Sequence, residues 1–206
     1  MDNATRSELS RNAVLEAALA IIARDGPGRL TLDAIVQESG VSKGGLMHHF
    51  RTKEAVLKAL LQRQIDYAEE FSRGYFDEFG TRQSQPHLAT QIATLREAVT
   101  TPPSVFFALL GAAAQEPGLL STTREIDAKK IEIIKAEAAD PELAMLRWVA
   151  AWGLTLTALM GLSPISEEER KRLFDRLLDD RRWLAPPAAA EPRHTRVSPA
   201  GKDEDR

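Results

Sequence analysis

Apolar residues recur at helical spacing along nearly the whole chain, and no stretch alternates apolar with polar residues between turn signals. That pattern predicts an all-α fold. Its punctuation divides the chain into about nine helices. The first runs from about Ser7 to Arg24 with Leu15, Leu19 and Ile22 on one face, follows Thr5 and Glu8 at capping-box spacing, and stops at Asp25-Gly26-Pro27-Gly28. Thr31 can cap a short helix to about Ser39 by accepting the amide hydrogen of Ala34, with Leu32, Ile35 and Val36 turned inward. Gly40 suits a left-handed turn, Ser42 caps a second short helix ending near Phe50, and Thr52 caps a long one reaching about Phe79.

Further helices are expected at about His87 to Thr100, Ser104 to Gln115 and Leu119 to Ala139. Asp140-Pro141-Glu142 starts another, ending near Leu162 before Ser163-Pro164, and Ser166 with Glu169 opens the last one toward Trp183. From Ala185 to Arg206 the composition turns to Pro, Ala and charge with Val197 the only large aliphatic, which predicts a disordered tail dispensable for assembly and binding.

The 206 residues include no cysteine, which excludes disulfides, thiolate metal sites and cysteine nucleophiles. The N-terminus carries charge without an apolar run, so no signal peptide is read there, and Trp148 to Leu162 is too short to span a bilayer. A cytoplasmic protein without membrane contact is expected. The net charge of -3 hides an asymmetry, because Lys43, Arg51, Lys53, Lys58 and Arg63 face only Glu54 between residues 41 and 63. Such a basic window can meet phosphates, or it can be a solvated helix surface.

Thr31 to Lys53 reads TLDAIVQESGVSKGGLMHHFRTK, two short helices about a glycine turn. This is the logic of a helix-turn-helix. With Leu46 and Phe50 inward, Lys43, Gly44, Met47 and His48 are left on the outer face of the second helix. The segment resembles the DNA-binding domain of the TetR family at Thr31, Ile35, Gly40, Val41, Ser42, Leu46, His49, Phe50, Lys53 and Glu54, and the likeness extends over about residues 8 to 65. The resemblance implies that Thr31, His49 and Lys53 hold the DNA backbone, while Lys43, Gly44, Gly45 and His48 lie against the major groove, Ser42 and Met47 being grouped with them. Lys43 is the candidate base reader, because an ammonium can donate to guanine. The family usually has tyrosine where Met47 stands, so a phenolic phosphate contact is missing and a thymine methyl contact could replace it. His48 and His49 point about 100° apart on a helix, and no Cys or third His joins them, so no metal is expected.

For the rest of the chain the resemblance implies a larger domain that encloses a ligand cavity and pairs its last two helices across a dimer axis. Trp148, Trp152, Leu156 and Met160 recur every four residues, a pattern that ordinary core packing also produces. Tyr67, Phe71, Phe76, Phe106, Phe107, Trp148 and Trp152 are the large residues that could line the cavity. The expected organisation is therefore a DNA-binding domain at 1–55, a ligand-binding and dimerisation domain at 56–184 and a tail at 185–206. No G-x-S-x-G, H-E-x-x-H, Walker or dinucleotide motif is present, so neither an enzyme nor a cofactor is expected. The implied function is a ligand-responsive transcriptional regulator, a repressor by family tendency, that binds palindromic operator DNA as a homodimer and is released by a small hydrophobic effector. The alternative is a DNA-bound helical protein that signals to a protein partner without an inducer.

Overall fold

The computed structural model describes residues 3–100, 105, 110, 113 and 117–183. Among them are eight α-helices and no strand: α1 (Asn3–Asp25), α2 (Leu32–Ser39), α3 (Lys43–His49), α4 (Lys53–Phe79), α5 (Pro86–Ala98), α6 (Ser121–Glu137), α7 (Pro141–Leu159) and α8 (Glu167–Leu178). The helix expected at 104–115 falls largely outside the described residues, although Val105, Leu110 and Ala113 are helical. The tail also lies outside them.

Most boundaries follow from side chains that take up orphan helix-end amides. Thr31 accepts from Ala34 N at 3.1 Å, Ser42 from Gly45 N at 3.2 Å, Thr52 from Ala55 N at 3.1 Å and Asp140 from Leu143 N at 3.0 Å. Each such cap contributes about 1 kcal/mol. Ser166 and Glu169 form a reciprocal capping box at the start of α8. Gly40 ends α2 at φ 67°, a left-handed conformation that turns the chain sharply into α3.

Two boundaries differ from the sequence reading. Helix α1 begins at Asn3 and runs through Thr5 and Glu8, so the expected capping box there does not form. Helix α7 stops at Leu159, earlier than Leu162, because Gly161 adopts φ 66° and breaks the helical path first.

Two cores hold the molecule. The N-terminal core gathers Val14, Leu15, Ala18, Ile21, Ile22, Leu30, Ile35, Leu46 and Phe50 with Val56, Leu57 and Leu60. The second gathers Leu88, Ile92 and Leu95 of α5, Ile134 of α6, Ala144 and Ala151 of α7, and Phe174 and Leu177 of α8. Helix α4 crosses the boundary expected at 55/56: its first two turns belong to the N-terminal core, and its later part packs on α5.

A buried ion pair closes the second core. The Arg147 guanidinium donates to Asp180 Oδ1 at 3.0 Å, to Leu177 O at 2.6 and 3.2 Å and to Gln85 Oε1 at 2.8 Å. Asp180 Oδ2 in turn accepts from Ser84 N and Oγ, both at 2.7 Å. This cluster ties the start of α5, the middle of α7 and the turn after α8 into one unit.

Candidate DNA-binding face and effector cavity

Helix α3 has seven residues, too few to persist alone, and Leu46 and Phe50 anchor it in the N-terminal core. Opposite that anchor, Ser42, Lys43, Gly44, Met47 and His48 are exposed. Thr31 is also exposed, at the start of α2, and Lys53 is half-buried at the start of α4. The helix-turn-helix thus leaves six of the nine expected residues exposed and the other three, Gly45, His49 and Lys53, half-buried.

Several of these side chains already have partners. Lys43 Nζ lies 2.9 Å from Asp33 Oδ1, with both side chains largely exposed at 71% and 79%. Leaving such a pair for DNA costs about 0–1 kcal/mol, so Lys43 is available to a base or phosphate. Lys53 Nζ donates to Pro27 O at 3.1 Å, which pins the turn after α1 to the start of α4. That role was illegible in the sequence. His49 is half-buried between His48 and Phe50. Burial first, and then the neighbouring His48 and Arg11 charges, lower its pKa, so its ring is held toward the neutral form. Arg11 of α1, which sequence reasoning passed over, stands 5.6 Å over the Phe50 ring and brings another cation to the end of α3.

The two glycines of α3 differ. A Cβ on Gly44 would meet open space, whereas one on Gly45 would approach Val41 Cγ1 at 3.0 Å and the Ser42 hydroxyl at 3.3 Å. Gly45 therefore serves the tight approach of the turn, and Gly44 leaves the outer face bare. Among the described residues no group of three or more His, Asp or Glu side chains could hold a metal.

The second candidate site is a cavity of about 250 Å³ between α4, α5, α6 and α7. Its apolar wall comes from Leu61, Ile65 and Ala68 of α4, Leu95 and Ala98 of α5, Ile126 of α6, and Trp148, Trp152 and Leu159 of α7. The two indoles meet edge-on, 6.1 Å apart with ring planes at 75°. Its volume is close to the lower end of the ~300–1,000 Å³ typical of small-molecule sites.

Of the aromatic residues singled out in the sequence, Trp148 and Trp152 line this cavity. The others do not. Tyr67 is exposed and donates to Glu97 at 2.9 Å, and Phe71 stacks on Tyr75 along α4. Phe76 packs against His87 in a neighbouring shallower depression, which also includes Arg73, Thr90 and Lys130. Phe106 and Phe107 lie outside the described residues. The polar lining of the main cavity, which includes Gln64, Glu69, Gln91, Thr94, Thr123, Asp127, Lys130 and Thr155, escaped the sequence reading, which weighed only large side chains. Thr123, Asp127 and Lys130 recur at helical spacing on α6, a signal visible only once that face is known to be inward.

Residues 14–60 match the family model for bacterial regulatory proteins of the tetR family, and residues 84–180 match the tetracyclin repressor-like C-terminal domain. The chain belongs to the TetR family. It is a TetR-family transcriptional regulator with a DNA-binding helix-turn-helix at its N-terminus. A curated relative, the HTH-type transcriptional regulator SrpR of Pseudomonas putida, is 36% identical over 58 residues, a segment spanning 28% of this chain and 27% of that protein. A TetR family regulator from Marinobacter aquaeolei superposes with a TM-score of 0.59 at 17% identity, covering 85% of this chain and 96% of that one. The multidrug binding protein EbrR complexed with malachite green gives 0.56 at 22% identity, with 81% and 96% covered. At such identities these likenesses establish the shared fold of this TetR-family chain. Among its described residues, no helix is long and apolar enough to cross a membrane.

Proposed function

We propose that this regulator binds a palindromic operator as a homodimer, acts as a repressor, and leaves the DNA when a small hydrophobic effector fills the cavity of α4–α7. One observation carries the reading: α4 belongs to both sites. Its Leu61, Ile65 and Ala68 wall the cavity, and its Val56, Leu57 and Leu60 are built into the core that positions α3. An effector that moved α4 would move the helix that meets DNA, which is the physical link any coupling between the two sites requires.

On the DNA, Lys43 and His48 of α3 are assigned to the major groove with Met47 beside them, while Thr31, His49 and Lys53 hold phosphates. The dimer is assigned to an exposed strip on α7, where Leu146, Val149, Gly153 and Leu156 follow one another at helical spacing beside Ala150. Leu146 and Val149 are 67% and 56% exposed, and Leu173 of α8 adds another exposed apolar side chain. Such a strip is the expected signature of a partner surface.

EbrR, which shares the fold, has been solved with malachite green and with ethidium, so planar hydrophobic compounds are suitable probes. In a fluorescence-anisotropy titration of bound duplex DNA against a panel including malachite green, at least one compound should weaken DNA binding about 5- to 150-fold. The Ile65→Trp variant, whose larger side chain fills the cavity, should keep DNA binding and lose the response; this separates release through the protein from any action of the compound on DNA. Equal response in both proteins, or none across the panel, rejects the effector reading and favours a DNA-bound scaffold without an inducer.

A further inference from the structure

A threonine inside a helix usually gives its hydroxyl proton to the carbonyl four residues back. Thr94, Thr155 and Thr157 do so, at 2.9, 2.9 and 2.7 Å. Thr90 and Thr123 do not: their hydroxyls are buried without a protein partner. Thr123 lines the main cavity. Thr90, on α5 and 3% exposed, lines instead the neighbouring depression of about 330 Å³ between α4, α5 and α6. Buried polar groups in folded proteins are nearly always satisfied, so an orphan hydroxyl on the wall of an open depression points to a ligand that accepts from it.

The other walls say what that acceptor is. Arg73 of α4 and Lys130 of α6 both line the depression, and neither makes a hydrogen bond or ion pair with a described residue, although Asp127 feels the Lys130 charge. Glu69 supplies the single carboxylate of the described lining, so cations outnumber it. His87 is already committed, with Nδ1 2.8 Å from Glu137 Oε2, and its ring lies 4.9 Å from that of Phe76, which gives the site an aromatic side. A guanidinium, an ammonium and a hydroxyl without partners are all donors, and the guanidinium fork matches a carboxylate or a phosphate.

We infer that this depression is a second ligand site, distinct from the effector cavity, which takes the oxyanion group of a small aromatic or apolar metabolite. Arg73, Lys130 and the Thr90 hydroxyl hold the anion, and Phe76 packs on the body that carries it. Arg73, Thr90 and Phe76 have no part in the main cavity, whereas Glu69, Gln91 and Lys130 line both.

Calorimetric titration of the full chain at neutral pH, in phosphate-free buffer of fixed ionic strength, tests this with three ring-matched probes: benzoate, phenyl phosphate and neutral benzamide. At least one anion should bind about tenfold or more tightly than benzamide, and the tighter of the two identifies the site as one for carboxylates or for phosphates. Arg73→Gln, at an exposed position, should weaken that anion about tenfold and leave benzamide unchanged. Thr90→Val should weaken it about fivefold without lowering the melting temperature of the free chain, because no hydrogen bond within the protein is lost. Benzamide binding as tightly as both anions, or anion binding that survives either substitution unchanged, overturns the site; the latter places the anion elsewhere, such as on the basic DNA-binding face. A Thr90→Val chain that melts lower and binds the anion as before assigns the hydroxyl to the fold and overturns it too. No detectable binding of either anion does the same. Each result is independent of whether an effector releases the DNA.

Discussion

Arg147→Ala is expected to destabilise the chain by about 3–5 kcal/mol, because it leaves a buried carboxylate without its partner. The guanidinium is 3% exposed and serves Asp180, Gln85 and the Leu177 carbonyl at once, so no water can take its place without opening the packing of α5, α7 and the turn after α8. Trp183 adds to the cost, since its ring stacks 5.5 Å from the Arg147 guanidinium. The loss should depend on pH. Burial alone would raise the Asp180 pKa, but hydrogen bonds from Ser84 and Arg147 outweigh it and hold the group below the ordinary carboxylate value. Stability from this depressed pKa is fully present above the unfolded value and is lost as pH falls through the folded one. Urea unfolding should therefore show a large gap between wild type and Arg147→Ala at neutral pH and a smaller one in acid, where Asp180 is neutral. The double variant Arg147→Met with Asp180→Leu should recover much of the loss, because apolar side chains of similar size replace the pair without orphaning a charge. A gap of under about 1 kcal/mol at neutral pH would mean that the pair is only a surface-like contact.

Val149→Arg is expected to separate the proposed dimer and, with it, to abolish tight operator binding. Val149 is 56% exposed in the single chain, so arginine there disturbs no packing within one subunit. In a dimer built on this strip, two new cations would face each other across an apolar seam, each losing its water without a counter-charge. Light scattering should give about twice 22.7 kDa for the wild type and the single-chain mass for the variant. Operator affinity should fall by at least about 100-fold, because one helix-turn-helix makes too few contacts for a specific site at physiological salt. A Val149→Arg chain that remains dimeric would remove this face of α7 from the interface.

The sequence was most legible where short-range chemistry decides the structure. Thr31, Ser42, Thr52, Asp140 and Ser166 all cap helices as their hydroxyl or carboxylate suggests, and Gly40 turns where a left-handed residue is needed. The capping-box spacing of Thr5 and Glu8 misled because helix α1 continues through it to Asn3. At the candidate sites, position along a helix was readable and long-range pairing was not. Lys43 is outward as expected, yet its contact with Asp33 and the bond from Lys53 to Pro27 join residues whose proximity only the fold creates. The same holds for the cavity. Large aromatic residues were a reasonable guess at its wall, but helix rotation decides which of them point inward: Trp148 and Trp152 do, while Tyr67 and Phe71 sit elsewhere on α4. Asp127 and Thr123 could not be recognised as cavity residues before the fold brought α6 and the tryptophans of α7 to one cavity.

The central claim is that two copies of α3 read a two-fold-related DNA site, with Lys43 as the sequence reader. The most direct test selects duplexes from a random library with the wild-type chain and titrates the winner, a half-site variant and a random duplex with wild type and Lys43→Ala at several salt concentrations. The selected duplex should be an imperfect palindrome with half-sites about one helical turn apart or somewhat more. Lys43→Ala should lose about 1–3 kcal/mol on that duplex and relax preference at one base pair in each half-site, while its binding to random duplex changes far less. Selection without an enriched sequence, or sequence discrimination that survives Lys43→Ala intact, would contradict the account.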